Sequence, residues 1–108
     1  MTIAHVVLLK VKPSVSEEKA QEILKALADL REKLPKGVMQ SVHLGTNFAD
    51  HNQGFTHSFT MTFKTKEDLE FYNVSEVHQD VAKNLVFPNI DDVLAVDYNV
   101  VDYSYPLI

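Results

Sequence analysis

Apolar and polar positions along this chain follow two periods, and the switches between them mark out its elements. Residues 3–11, Ile-Ala-His-Val-Val-Leu-Leu-Lys-Val, are β-branched or apolar at nearly every position. Such a run predicts a strand covered on both sides, or nearly so. Lys12-Pro13-Ser14 ends it, and Ser14 with Glu17, or Ser16 itself, supplies a helix start. Ala20, Ile23, Leu24, Leu27, Leu30 and Leu34 then recur at helical spacing with charged residues between them, until Pro35-Lys36-Gly37 stops the helix. A second strand is expected over Val38–Leu44, followed by a polar loop from Gly45 to Gly54. Phe55 to Phe63 alternates most clearly: Phe55, His57, Phe59, Met61 and Phe63 share one face, and Thr56, Ser58, Thr60 and Thr62 the other. Thr65 caps a predicted short helix running to about Tyr72, and Ser75 caps another carrying Val77, Val81 and Leu85. Phe87-Pro88-Asn89 breaks that helix, Val93–Val101 reads as the last strand, and the tail through Pro106 has no helix signal.

The resulting order, β-α-β-β-α-β with its second helical region broken in two, is the split βαβ pattern of an α+β, ferredoxin-like sandwich. The helices of such a fold cover one face of the sheet only. The more apolar side, with Phe59, Met61 and Phe63, is assigned to the helices, and His5, Val7 and Leu9 are placed with it. The opposite face then carries Ala4, Val6 and Leu8 beside Ser58, Thr60 and Thr62. It is too apolar for open solvent, so a sheet-to-sheet homodimer is expected.

Composition narrows the function. The 108 residues suit one domain, 1–108, and 45% hydrophobic content argues against disorder. Cysteine is absent, which excludes disulfide scaffolds, thiol nucleophiles and thiolate metal sites. Ten basic against fifteen acidic residues, with no basic cluster, leave no electrostatic footprint for nucleic acid. The apolar runs are too short for a membrane span, and Met1-Thr2-Ile3-Ala4-His5 lacks the features of a signal peptide. A cytoplasmic protein with no cleaved segment is expected.

Five histidines are many for this length. His43 and His51 fall near a strand end and in a polar loop and read as solvated. His5 and His57 each open an apolar strand on the helix-facing side, so the two imidazoles are expected near each other at one end of the sheet. His78 lies in the first turn of the last helix and Tyr72 at the end of the preceding one, with Asn73-Val74 between. A convergence of His5, His57 and His78 on a metal lacks any ligand-type spacing, so no metal is expected. Asp91-Asp92 reads as a solvated turn.

At this point a family resemblance emerges. Lys10-Val11-Lys12-Pro13 after the His5-Val6-Val7-Leu8-Leu9 strand, then Gly54-Phe55-Thr56-His57, then Asp97-Tyr98, resemble the stress-responsive dimeric α/β-barrel family of plants, fungi and bacteria, over nearly the whole chain from His5 to Tyr98. The resemblance implies paired ferredoxin-like units forming a dimeric α/β barrel. A plant polyketide cyclase of that family closes a linear polyketide into an aromatic acid by an intramolecular aldol reaction, without a metal or organic cofactor. Its catalytic Tyr and His match Tyr72 and His78, and its pocket histidines match His5 and His57. Three departures stand out. The family's His-Pro-x-His is here Ser75-Glu76-Val77-His78, two glycines after the histidine are Asp80 and Ala82, and a pocket tyrosine on the first helix is Leu27.

The chemistry fits that implication. A neutral histidine near its reference pKa of ~6.5 is a suitable base at cellular pH, and a phenol near ~10 stays protonated and donates to an oxyanion. His78 is therefore the candidate base and Tyr72 the candidate donor. His5 and His57 are expected to form the polar end of the cavity, in a binding role. Val7, Leu9, Ile23, Leu24, Leu27, Phe59, Val93 and Ala95 are expected to supply its apolar walls, fitted to a small apolar or aromatic ligand. The competing reading is a non-catalytic ligand-binding or stress-protective dimer using the same pocket.

Overall fold

The computed structural model describes residues 2–103. Four strands and three helices appear in the expected order: β1 (Ile3–Val11), α1 (Glu17–Lys33), β2 (Met39–Thr46), β3 (His57–Phe63), α2 (Lys66–Val74), α3 (Glu76–Val81) and β4 (Ile90–Asn99). Between α3 and β4 the chain makes a π-helical turn over Ala82–Val86 and a 3-10 turn over Phe87–Asn89. The strands form one antiparallel sheet in the order β2-β3-β1-β4. This is the ferredoxin-like α+β fold that the element order predicts.

Of the two start signals before α1, Ser16 is the one used, its hydroxyl accepting from the Lys19 amide at 3.1 Å. Glu17 and Glu18 in the first turn and Arg31 and Lys33 in the last complement the helix dipole. Gly37, at φ 91°, takes the left-handed conformation that lets the chain turn into β2. Ala20, Ile23, Leu24, Leu27 and Leu30 are all buried on one face of α1. They meet Val7, Leu9, Phe59, Met61 and Phe63 from the sheet, as the assigned faces require.

Several boundaries move. β3 begins at His57, so Phe55 stands outside it, its ring lying 5.0 Å from the Lys10 ammonium. β4 begins at Ile90, so Asp91 and Asp92 lie within the strand and not in a turn. The end of the expected last strand falls away too, since β4 stops at Asn99. Pro106 lies outside the described residues.

On the sheet face away from the helices, Ala4 is already buried within the single chain at 2% exposure. Thr62 and Tyr98 stand opposite it on the neighbouring strands. Val6 and Leu8 remain half-buried, and their partners across β4, Val96 and Leu94, are about half exposed. No described helix is long and apolar enough to cross a membrane.

Candidate functional site

The break between α2 and α3 builds the site. Ser75 ends one helix and caps the next: its hydroxyl donates to the Tyr72 carbonyl at 2.8 Å and accepts from the His78 amide at 3.3 Å. A single residue thus ties Tyr72 to His78, and the joint is Ser75 itself, since Asn73 and Val74 belong to α2. The serine occupying the position of the family's first histidine is an N-cap, one of the residue types that position favours.

Tyr72 is fully buried, and its ring lies 4.4 Å from His78, 5.4 Å from Phe63 and 6.0 Å from His5, centroid to centroid. Its hydroxyl has no hydrogen-bond partner among the described residues. Buried polar groups nearly always have one, so an orphaned phenol in a cavity wall calls for a ligand atom or a water. Burial pushes its pKa far above the ordinary phenol range, which keeps it protonated.

His78 donates from Nδ1 to the Asn73 carbonyl at 3.1 Å, which leaves Nε2 as the free nitrogen. Partial burial pushes its pKa below the ordinary imidazole value; the Asn73 bond opposes that, and His5 nearby adds to the lowering. His78 is accordingly a neutral imidazole with an available lone pair at neutral pH.

Both side chains line a cavity of about 180 Å³. Val7 and Leu9 of β1 and Phe59 of β3 form its floor, with Leu27 of α1 above and Val93 and Ala95 of β4 along one side. His5 stands at the Tyr72 end, its Nδ1 donating to Asp97 Oδ1 at 2.5 Å. Asp97 is about half exposed and also lines a neighbouring cleft with Lys66, Glu70 and Asn73.

His5, Val7, Leu9, Leu27, Phe59, Tyr72, His78, Val93 and Ala95 therefore do come together. Three predicted residues do not join them. Ile23 and Leu24 are sealed in the core at 0% and 1% exposure and do not line this cavity. His57 stands opposite Leu9, whereas His5 stands opposite Met61. The two histidines do open their strands, but β1 and β3 are antiparallel, so the strand starts lie at opposite ends of the sheet. His57 Nδ1 meets Thr56 Oγ1 at 2.7 Å, and its Nε2–H donates to Glu17 at 3.1 Å. The three-imidazole convergence is absent as well: among the described residues no three His, Cys, Asp or Glu side chains are grouped to hold a metal ion. His43 and His51 are exposed, as expected.

Sequence reasoning missed Asn73, Ala82, Val86 and Phe87 as lining residues and Asp97 as the partner of His5. The last three lining residues come from the π and 3-10 turns, whose spacing no helical periodicity reveals. Of the departures from the family pattern, Leu27 and Ala82 line the cavity, while Asp80 is exposed and lines none of it.

Residues 3–100 match a family described as Stress responsive A/B Barrel Domain. The chain is 34% identical over 98 residues to the stress-response A/B barrel domain-containing protein HS1 of Arabidopsis thaliana, covering 89% of this chain and 87% of that one. It is 28% identical over 80 residues to the olivetolic acid cyclase of Cannabis sativa, covering 72% and 77%. A crystal structure of an Arabidopsis thaliana protein superposes with a TM-score of 0.85 at 31% identity, over 95% of this chain and 99% of that one. A dimeric ferredoxin-like protein of Jannaschia sp. superposes at 0.77 and 24% identity, over 93% and 100%.

Proposed function

The chain belongs to the stress-responsive A/B barrel domain family, and from that premise we propose that it is a cofactor-independent, polyketide cyclase-like enzyme. Its reaction is the intramolecular aldol cyclisation of a small polyketide or phenolic-type substrate. The observation that carries this reading is the buried, unpartnered Tyr72 hydroxyl beside a neutral His78 in one apolar cavity. The similarity to olivetolic acid cyclase supports the same reaction class.

In this mechanism Nε2 of His78 takes a proton from a carbon flanked by carbonyls. The Tyr72 O–H donates to the carbonyl oxygen on which negative charge develops, in a site where few other dipoles compete. The carbanionic carbon then attacks a second carbonyl of the same chain. The cavity, at about 180 Å³, is smaller than the ~300–1,000 Å³ typical of drug-sized ligand sites, so it holds the reacting end and a short apolar segment.

The test is turnover of linear β-polyketo thioesters of several lengths, compared with spontaneous cyclisation in buffer. His78→Ala should lower turnover by ~10²–10⁴-fold. The wild-type rate should rise with pH as His78 loses its proton, with a midpoint below the ordinary ~6.5, because its pKa is lowered. Equal rates and product ratios for His78→Ala and wild type would remove the catalytic reading.

A homodimer is part of the proposal. Val6, Leu8, Leu94, Val96 and Tyr98 share the sheet face that no described helix covers. A structure with this fold is described as dimeric. Val6→Lys buries an unpaired charge there and should cost several kcal/mol of association, seen by light scattering as a fall from dimer to monomer mass. An unchanged mass would put the interface elsewhere.

The second reading, a ligand-binding or stress-protective dimer without turnover, is favoured by the 34% identity to a protein named for a stress response. Ligand binding without turnover in the same assay would select it.

A further inference from the structure

The cavity holds three titratable side chains: His5, Tyr72 and His78. Under the proposed reaction His78 takes a proton from carbon. The oxygen of the attacked carbonyl must then gain one, or the new bond reverts. Tyr72 is a poor source, because its burial makes the phenol hold its proton far more tightly than an ordinary tyrosine. It polarises an oxygen without surrendering the proton. His5 remains, and its geometry sets it apart from His78. Its Nδ1–H donates to the Asp97 carboxylate, the counter-charge that an imidazolium needs in a largely apolar site. His78 has only a backbone carbonyl on its Nδ1. Two histidines in one cavity with unlike partners are suited to opposite proton-transfer roles.

We propose that His5 is the general acid of this site, that Asp97 is its positioning residue, and that the pair reloads from the cleft into which Asp97 opens. The inference rests on the aldol reading above and adds a donor to it. The steps balance. Nε2 of His78 gains the C–H proton, and the C–C bond forms as the π bond of the attacked carbonyl opens. That oxygen takes the proton released by Nε2 of His5. Substrate and adduct have the same composition, so no co-reactant is required. His78 then returns its proton to solvent, and His5 regains one beside Asp97. Asp97 is suited to this because it touches both spaces: its carboxylate holds the buried His5, and its exposed side lines a cleft of about 390 Å³ with Lys66, Glu70 and Asn99.

The groups that face His5 are few. Asp97 meets it from β4, while Tyr72 of α2 and His78 of α3 stand on the cavity side. The neighbouring rings of β3 and its end, Phe59 and Phe63, do not titrate. Lys66 and Glu70 of α2 face Asp97 across the cleft. The pH profile of the wild type should therefore be a bell. Its acid limb follows deprotonation of His78, and its alkaline limb follows loss of the proton from His5.

The experiment measures kcat and KM of the full chain from pH 5 to 9 with a linear tri-β-keto thioester of N-acetylcysteamine. Asp97→Asn keeps the shape and an acceptor for Nδ1–H but removes the charge. Since Asp97 lies on an exposed strand, the variant keeps the fold, which its melting temperature checks. It should lower kcat about tenfold or more with KM little changed, and move the alkaline limb down by about one pH unit or more. His5→Gln should abolish that limb and leave a single ascending curve. A purely structural role for Asp97 would scale the rate at every pH and leave the limb in place. An active wild type whose alkaline limb survives both substitutions overturns the acid assignment and leaves the cyclase reading standing. A wild type no faster than buffer overturns both.

Discussion

Two histidines lie buried on the helix-facing side of the same sheet, each bonded to a carboxylate, and only one lines the cavity. His5, 8% exposed, pairs with Asp97 at 2.5 Å; His57, 4% exposed, pairs with Glu17 at 3.1 Å. At His57 both ring nitrogens are occupied, one by Thr56 and one by Glu17. Thr56 is itself engaged, accepting from the Val11 amide at 3.1 Å and donating to the Leu9 carbonyl at 3.2 Å. That end of the sheet is a closed network that fastens the start of β3 to α1 and β1. At His5 only Nδ1 is engaged among the described residues, and the ring borders a cavity in which a phenol also lacks a partner. A buried histidine–carboxylate pair is therefore no signature of a site by itself. The unmet hydrogen-bonding capacity around it makes the difference.

The largest expected contrast is in catalysis. Tyr72→Phe should cost ~10²–10³-fold in turnover, yet it removes a buried hydroxyl with no partner among the described residues, so the melting temperature should hold or rise. A fall in both would mean that the hydroxyl supports the fold. The next contrast is in stability. His57→Ala should cost roughly 1–3 kcal/mol through lost hydrogen bonds and packing, read by chemical denaturation, with turnover unchanged. A loss of turnover without a loss of stability would return His57 to the site. The smallest effect belongs to Glu17→Gln. Hydrogen bonds from Gln21, first, and from His57 hold the Glu17 pKa below 4.5. A lowered carboxylate pKa contributes stability above the unfolded value, and that contribution fades as pH falls through the folded one. Wild type should thus lose this increment on acidification below about 4.5, and Glu17→Gln should flatten that part of the curve; equal acid titrations would show that the exposed Glu17 carboxylate contributes nothing.

What the sequence disclosed follows from periodicity. The apolar stripe from Ala20 to Leu34 and the alternation from His57 to Phe63 report faces, and the faces assemble as read. His5 was legible as an early residue of β1 on the helix-facing side, and Tyr72 and His78 as neighbours at helix ends that match the catalytic pair of a resembling family. Pairing across strands was not legible. The partner of His5 depends on the register that sets it opposite Asp97, and the separation of His5 from His57 depends on strand direction. The walls were only partly legible for a related reason: the same apolar face of α1 supplies Ile23 and Leu24 to the core and Leu27 to the cavity, and helical periodicity does not divide them.

β4 sits at one margin of the sheet, bonded to β1 alone among the described residues, and from Asp91 to Asn99 it is exposed along both faces. A long margin bearing Val93, Leu94, Val96 and Tyr98 is a template on which another chain can add a strand. Asp91, Asp92 and Asp97 lie within the same strand, and their negative charges act as gatekeepers against such stacking. The safeguard is electrostatic, so it is screened by salt. In the proposed homodimer a second copy covers this face, so the chain is most vulnerable at low concentration, before it pairs. The aspartates that interrupt an otherwise apolar strand thus protect the protein while it is still alone.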